Sequence, residues 1–351
     1  MSCQKISIAL CTFNGERFLR EQLDSLAAQT RLPDEVVVGD DGSADRTLEI
    51  LEAWAKTVPF PVKIQKNEHS LGPAKNFEAA ILRCSGDIIF LCDQDDVWVP
   101  EKIQKMAAVF EKDPEAGLVF CYAATIDGNG NPLGISRAEI SRAQIICSGW
   151  PLISPFCRKH DNPPGCCSAF RSELVKRILP IPHNMPHDTF FFLYLPALGK
   201  TVTLRENLIR YRFHGNNVSF FGNWHQTFLE HQKMERTSYQ WLPGIYFNWE
   251  ERIQEFLDWL YAQPESKYRA QCVRYVRGNQ IHYPNRLRIQ RNAVIFFPLW
   301  LLEIVSGRYF RRLQPVRSIF YDLGLGLLNT VNPRKSVSEI RNLAMKVFKR
   351  K

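Results

Sequence analysis

Apolar positions follow two rhythms in the first hundred residues. Ile6-Ser7-Ile8-Ala9-Leu10-Cys11 is a short, nearly continuous apolar run. Phe18, Leu19, Leu23, Leu26 and Ala27 then recur at helical spacing within residues 16–29. The pattern predicts strand, loop and helix, with Thr12-Phe13-Asn14-Gly15 as the loop. Glu35-Val36-Val37-Val38-Gly39 reads as a strand covered on both faces. It ends in Asp40-Asp41-Gly42-Ser43, and Ala44-Asp45-Arg46-Thr47 carries capping residues into a helix that reaches Trp54. Residues 62–65 predict a third strand, 73–83 a helix and 87–92 a fourth strand.

Strands alternating with helices imply an α/β domain with a parallel sheet, whose ligand site lies beyond the carboxyl ends of the strands. The acids stand at that edge: Asp40 and Asp41 close one strand, and the run Asp93-Gln94-Asp95-Asp96 closes another. Adjacent carboxylates repel and raise one another's pKa, so the run calls for a compensating positive charge. Oxygen ligands completed by phosphate suit Mg²⁺ or Mn²⁺. The bland alternative is an acidic turn that caps the next helix. Asp40-Asp41-Gly42-Ser43 offers carboxylate acceptors for a base or a ribose, with Gly42 permitting close backbone approach.

Beyond residue 118 the rhythm weakens. Residues 118–122 look strand-like, Asp127-Gly128-Asn129-Gly130 is a turn, and the stretch to Asp161 carries few periodic signals, as a substrate-covering loop does. Order resumes at Gly165-Cys166-Cys167-Ser168-Ala169-Phe170, followed by a helix over 173–179, the polar and aromatic residues 183–194, and a strand over 201–211. After residue 222 the chain is helix-friendly and rich in Trp. The expected organisation is a catalytic domain over 1–222 and a helical, basic region over 223–351.

Composition and charge sharpen this picture. With 45% hydrophobic and 23% charged residues in 351, the chain is globular. The net charge is +9, yet residues 286–351 hold 14 Lys or Arg against three acids, leaving 31 against 33 elsewhere. All the excess positive charge therefore sits in the tail. The apolar run 293–305, broken by Pro298 and Glu303, is too short to span a bilayer of about 20 residues. Apolar residues beside arginines suit the surface of an anionic membrane; the alternative is a helical subdomain with a solvated basic face. No nucleic-acid-binding module is recognisable. The ten cysteines form no C-x-x-C pair, and no secretion signal is visible, so reduced thiols and a cytoplasmic location are expected.

Four motifs in order carry a resemblance: Ile8 to Asn14, Val36 to Thr47, Asn67 to Asn76, and Asp93-Gln94-Asp95-Asp96. Over roughly residues 5 to 220 the chain resembles the family 2 glycosyltransferases of GT-A fold. The resemblance implies a Rossmann-like mixed sheet flanked by helices, with a mainly helical C-terminal region. It implies that Thr12, Asp40 and Asp41 contact the nucleoside, and that Asp93 and Asp95 match the D-x-D pair holding ribose and metal-bound diphosphate. Asp96 is an additional metal-ligand candidate, and Lys75 falls where the family often has an arginine near the nucleotide. His187-Asp188 matches the position of the base in inverting members, which makes Asp188 the candidate to take the acceptor proton; its bland reading is an N-cap for a segment starting at Thr189.

Tyr211-Arg212-Phe213-His214-Gly215-Asn216-Asn217 resembles the Y-R-x-H-x-x-N sequence of a bacterial, rhamnosyltransferase-like subgroup. There Arg212 is expected to neutralise leaving-group charge and His214 to bind metal or diphosphate. The Q-x-x-R-W signature of processive synthases is missing, which favours single-sugar addition. The implied partners are a nucleoside-diphosphate sugar and a glycan or lipid-linked acceptor of a bacterial surface, met at the inner face of the cytoplasmic membrane. Two alternatives remain at this level. One is a catalytically silent nucleotide-sugar or lipid-carrier binding protein; the other is a sugar nucleotidyltransferase, against which the non-glycine-rich loop after the first strand argues.

Overall fold

The computed structural model describes residues 4–136, 164–183, 185–214, 249–277 and 297–305. Those through His214 fall in one compact unit and those from Trp249 in a second. The expected covering loop before Asp161, Gly215 to Asn217, and most of the basic tail lie outside the described residues, as does the expected boundary at 222.

The first unit starts as the sequence pattern requires. Strand β1 (Ile6–Thr12), helix α1 (Glu16–Ala27), strand β2 (Glu35–Asp40), helix α2 (Thr47–Ala55), strand β3 (Val62–Lys66), helix α3 (Pro73–Arg83) and strand β4 (Ile88–Cys92) follow one another. β3, β2, β1 and β4 lie side by side and all run parallel. β1, β2 and β4 are buried at every position, which is why they read as nearly continuous apolar runs, whereas the edge strand β3 exposes Lys63, Gln65 and Lys66. Ile6, Ile8 and Leu10 join Leu19, Leu23 and Leu26 of α1 and Leu51 and Trp54 of α2 in the main core, while α3 packs on β1 and β2. Each such side chain, fully buried, contributes about 1.5–3 kcal/mol.

The rest of the sheet is not parallel. After the two-residue strand β5 (Val97–Trp98) come helix α4 (Lys102–Lys112), strand β6 (Ala116–Ile126), strand β7 (Pro132–Ser136), a 3₁₀ turn at Gly165–Cys167, strand β8 (Ser168–Arg171), helix α5 (Ser172–Ile178), helix α6 (His187–Tyr194) and strand β9 (Lys200–Arg212). β8 is antiparallel to both β4 and β6; β9 runs parallel to β6 and antiparallel to β5. The order is β3-β2-β1-β4-β8-β6-β9-β5, with β7 against β6. This is the mixed sheet implied by the resemblance, where strand-helix alternation in the first half points only to a parallel one.

Several elements exceed the sequence expectations. α4 buries Ile103, Met106, Ala107 and Phe110, spaced as one helical face, against the sheet. Residues 183–194 contain α6, whose Phe190, Phe191 and Phe192 are all buried, so the aromatic density reflects core packing.

In the second unit, helix α7 (Trp249–Ala262) buries Phe256, Leu257 and Leu260, and Arg269 donates from Nε to its terminal Leu260 carbonyl at 2.7 Å. Helix α8 (Phe297–Val305) leaves Leu301, Leu302 and Val305 exposed. Among the described residues, no helix is long and apolar enough to cross a membrane.

Candidate active site

Strand register gathers the expected residues at one edge. β1 and β2 pair so that Thr12 lies beside Asp40, and Thr12 Oγ1 donates to Asp40 Oδ2 at 2.9 Å. Asp40 also accepts from the amides of Gly42 and Ser43 at 3.2 and 2.9 Å and from Ser43 Oγ at 2.5 Å. It is fully buried. Gly42 turns the chain at φ +89°, a conformation that disfavours side chains with a Cβ.

Asp41 closes a different loop. Its Oδ1 accepts from Asn67 Nδ2 at 2.9 Å and the Leu71 amide at 2.7 Å, and its Oδ2 from Ser70 Oγ at 2.8 Å and the Gly72 amide at 2.9 Å. Burial raises its pKa, but these bonds outweigh burial and hold it below the usual carboxylate range. The chain's own donors thus fill the carboxylates of Asp40 and Asp41, so their visible work is to shape the loops after β2 and β3. A nucleoside contact through either carboxylate has to share or displace one of those donors. Lys75 Nζ is paired with Glu78 Oε2 at 2.8 Å, and Glu78 also accepts the Ile181 amide at 2.7 Å. The lysine is therefore tied to its own helix.

The acidic run after β4 is arranged differently, each member taking its own direction. Gln94 turns to the β1–α1 loop, accepting from the Phe13 amide at 2.8 Å and donating to the Phe13 carbonyl at 3.0 Å. Asp95 turns to His214, with Oδ2 and Nε2 at 2.8 Å. Asp96 is fully buried; its Oδ1 accepts the Arg212 amide at 3.1 Å, while its Oδ2 has no hydrogen-bond partner among the described residues.

β9 brings Arg212 and His214 here. Trp98 pairs with Ile209 and Val97 with Arg210, so continuing that antiparallel ladder sets Arg212 beside Asp95. Arg212, however, is fully buried. Its Nε donates to the Asp95 carbonyl at 2.9 Å, its Nη2 to Glu21 Oε2 at 2.5 Å, and its Nη1 lies 3.5 and 3.4 Å from the carbonyls of Asp127 and Gly128. The expectation that it neutralises a leaving group gives way to another role. Held by these acceptors, the guanidinium braces the Asp95–Asp96 turn, since reaching outward would strand the carbonyls it serves.

The antiparallel ladder of β4 with β8, which pairs Phe90 with Ala169, brings the Gly165–Cys167 turn to the end of β4. One ligand atom each of Asp93, Asp96 and Cys166 lies within 4.8 Å of the others. Burial, together with the charges of Asp96, Asp95 and Asp188, pushes the Asp93 carboxyl well above the carboxylate range. Burial and Asp95 push Asp96 up to about 7, against the pull of Cys166, the Arg212 amide and Lys102. Lys102 is itself fully buried, its Nζ 2.6 Å from the Cys166 carbonyl and 3.3 Å from the centre of the Trp98 ring.

Asp188 lies near this turn, because its charge acts on Asp93. α6 starts at His187 with Pro186 before it, so Asp188 is inside the first turn and is not an N-cap. Its Oδ1 accepts the Thr189 amide at 2.6 Å, and among the described residues its Oδ2 accepts nothing. The seven described cysteines are buried free thiols. Gln94, Asn67, Glu21 and Lys102 shape the site without having been singled out by the sequence. Gln94 occupies the variable position of the D-x-D pattern, where nothing local signals its clamp.

Carboxylate and imidazole oxygens and nitrogens are the donors that Mn²⁺ or Mg²⁺ accepts, Mn²⁺ tolerating the imidazole better. Asp95 with His214 fits such an ion, and Asp96 Oδ2 is an orphaned acceptor beside them.

The chain's relatives agree with this architecture. Residues 7–179 match the model of the family described as Glycosyl transferase family 2. An uncharacterized glycosyltransferase of Nostoc sp. is 30% identical over 224 residues, covering 61% of this chain and 66% of its own length. The chain thus spans just under two thirds of that protein. Poly(ribitol-phosphate) beta-N-acetylglucosaminyltransferase TarS of Staphylococcus aureus is 32% identical over 146 residues, 41% of this chain and 25% of TarS. The crystal structure of TarS 1–349 in complex with UDP-GlcNAc superposes with a TM-score of 0.51 at 17% identity, covering 94% of this chain and 82% of that one, a likeness of fold. With its β1–β4 core and its acidic turn, the stretch matched over residues 7–179 is a glycosyl transferase family 2 domain.

Proposed function

We propose that residues 1–222 form a catalytic unit that transfers a single sugar, with inversion, from a nucleoside-diphosphate sugar to an acceptor hydroxyl. The observation that carries this reading is the convergence of Asp93, Asp95 and Asp96 with Asp188 at the carboxyl edge of the sheet. Open α/β sheets bind ligands there.

In this reading the acceptor oxygen attacks the anomeric carbon, the bond from that carbon to the diphosphate oxygen breaks, and the acceptor proton passes to Asp188. Asp188 Oδ2, which accepts no bond from the described residues, takes it in this reading. Thr12 and the loops set by Asp40 and Asp41 frame the nucleoside, and Asp93 faces the ribose. Asp95 and His214 would hold Mn²⁺ or Mg²⁺, which when bound supplies charge stabilisation to the departing diphosphate. Arg212 keeps Asp95 and Asp96 in place, and Lys75 meets the nucleotide only by leaving its ion pair with Glu78.

The acceptor is proposed to be a surface glycan or a lipid-linked precursor presented at the inner face of a bacterial membrane. The exposed Leu301, Leu302 and Val305 of α8, together with the basic composition after residue 286, support peripheral attachment to anionic lipid. A silent binding protein is disfavoured by an acidic turn poised beside Asp188. The sugar is open between the rhamnose suggested by the Tyr211 to Asn217 motif and an N-acetylhexosamine suggested by the likeness to TarS.

Calorimetric titration of a donor panel that includes dTDP-rhamnose and UDP-GlcNAc, with and without Mn²⁺ or Mg²⁺, tests this on the wild type and Asp95→Ala. Metal-dependent binding of one donor, lost in the variant, supports the reading. Absence of binding by the folded wild type to every donor overturns it.

A further inference from the structure

We propose that Asp93, Asp96 and Cys166 form a second cation pocket, distinct from the Asp95–His214 pair and selective for a thiophilic divalent ion of the Zn²⁺ or Cd²⁺ class. Two observations converge on it. One ligand atom from each residue lies within 4.8 Å of the other two. Bonds of about 2.0–2.3 Å to a shared tetrahedral Zn²⁺ set ligand atoms about 3.3–3.8 Å apart, so rotamer adjustments of about 1 Å close the three side chains onto an ion. Asp96 is fully buried and oriented by its Oδ1 bond to the Arg212 amide, which leaves Oδ2 as a buried acceptor with no hydrogen-bond partner among the described residues. Native proteins rarely leave such an atom without a partner.

The neighbouring cations do not meet this need. Lys102 spends its ammonium on the Cys166 carbonyl and the Trp98 ring, and Arg212 spends its guanidinium on Glu21 and three carbonyls. Two carboxylates and a thiol therefore share a pocket short of positive charge. A bound cation reverses that balance: it lets both acids ionise and draws the proton from Cys166.

The thiol sets the selectivity. Mg²⁺ takes oxygen ligands, whereas thiolate sulfur favours Zn²⁺ and its heavier congener. Cys166 and Asp96 are buried while Asp93 is partly exposed, so the ion enters past Asp93. An ion held there engages the carboxylate that the donor site also needs, so occupancy weakens donor binding. The ligand set is read from geometry and stands whether or not the donor reading holds.

Titrating Cd²⁺ into the metal-free, full-length protein and following the thiolate-to-cadmium charge-transfer absorption tests the pocket without any donor. The expected result is a band saturating at one equivalent in the wild type and in Asp95→Ala. The band is lost in Cys166→Ser, and Cd²⁺ affinity falls at least about tenfold in Asp93→Asn. Zn²⁺ displaces the signal and Mg²⁺ does not. Absence of the band in the folded wild type, or its persistence at wild-type affinity in Cys166→Ser, overturns the proposal. Should Cys166→Ser fail to fold, Asp93→Asn decides: unchanged Cd²⁺ affinity there also overturns it.

Discussion

Gln94 holds the main chain of Phe13 by both ends of its side-chain amide, accepting from the nitrogen at 2.8 Å and donating to the oxygen at 3.0 Å. The acidic turn and the β1–α1 loop are thereby one unit, although 81 residues separate them. Gly15 belongs to the same unit, because a Cβ there would sit 2.3 Å from Gln94 Oε1. Gln94→Ala removes two hydrogen bonds worth about 1 kcal/mol each. The expected outcome is a loss of roughly 1–2 kcal/mol in denaturant unfolding and weaker donor binding. Gly15→Ala is expected to weaken donor binding in the same way, since it prises the clamp open. Calorimetry on both variants checks this, and wild-type affinity in both would mean the clamp is irrelevant to the donor.

Arg212 and Glu21 form an unequal pair: the arginine side chain is fully buried and the glutamate is 59% exposed. Removing the buried member leaves the Asp95, Asp127 and Gly128 carbonyls without their donor. Arg212→Met is therefore expected to cost about 3 kcal/mol, whereas Glu21→Gln should cost less than about 1 kcal/mol because solvent screens the exposed partner. Urea unfolding of the two variants measures the contrast. Equal losses would contradict the bracing role.

Arg212 also shows where sequence reading reaches its limit. The motif places it at the right edge, and β9 runs through to Arg212 with the Val97–Arg210 register that delivers it there. Its side-chain direction depends on Glu21 and the turn at Asp127, and no local pattern encodes those contacts. The parallel core was legible because continuous apolar runs such as Val36-Val37-Val38 permit little else than a doubly covered strand. The antiparallel half was legible only through the resemblance, since β8 is four residues long and carries no alternation. Asp40 and Asp41 were legible as important, yet their hydrogen bonds come from loops folded over them.

Glu35, at the opposite end of β2 from the site, provides a test of acid stability independent of activity. Burial raises its pKa, but bonds from Lys63, from Ser7 and from the amide and hydroxyl of Ser85 outweigh that and lower it to about 2 from 4.5. A carboxyl whose folded pKa is depressed stabilises the fold above its unfolded pKa and loses that contribution as pH falls through the folded one. The window here runs from about pH 4.5 down to about 2. The shift corresponds to about 3 kcal/mol, and solvent at the half-exposed Lys63 reduces this to roughly 2 kcal/mol. Unfolding of the wild type and Glu35→Gln between pH 6 and 3 is expected to show a flatter pH dependence in the variant, with donor binding at neutral pH unchanged.

Asp188 decides between a transferase and a binding protein. It lies close enough to Asp93 for their charges to interact, it occupies the first turn of α6, and its Oδ2 accepts no bond from the described residues. An acid kept there only to favour the helix N-terminus contributes about 0.3–1 kcal/mol to stability and nothing to turnover. A proton acceptor instead loses its function when one oxygen becomes an amide, while donor binding survives because Asp93, Asp95 and the nucleoside loops are untouched. Asp188→Asn is accordingly expected to lower kcat by about 10²–10⁴ with little change in donor Kd. Stopped-time product assays and donor calorimetry on the same preparation separate the two quantities. Unchanged kcat would move the base elsewhere and leave Asp188 as a helix-terminal acid; a parallel collapse of kcat and donor binding would assign it to holding Asp93.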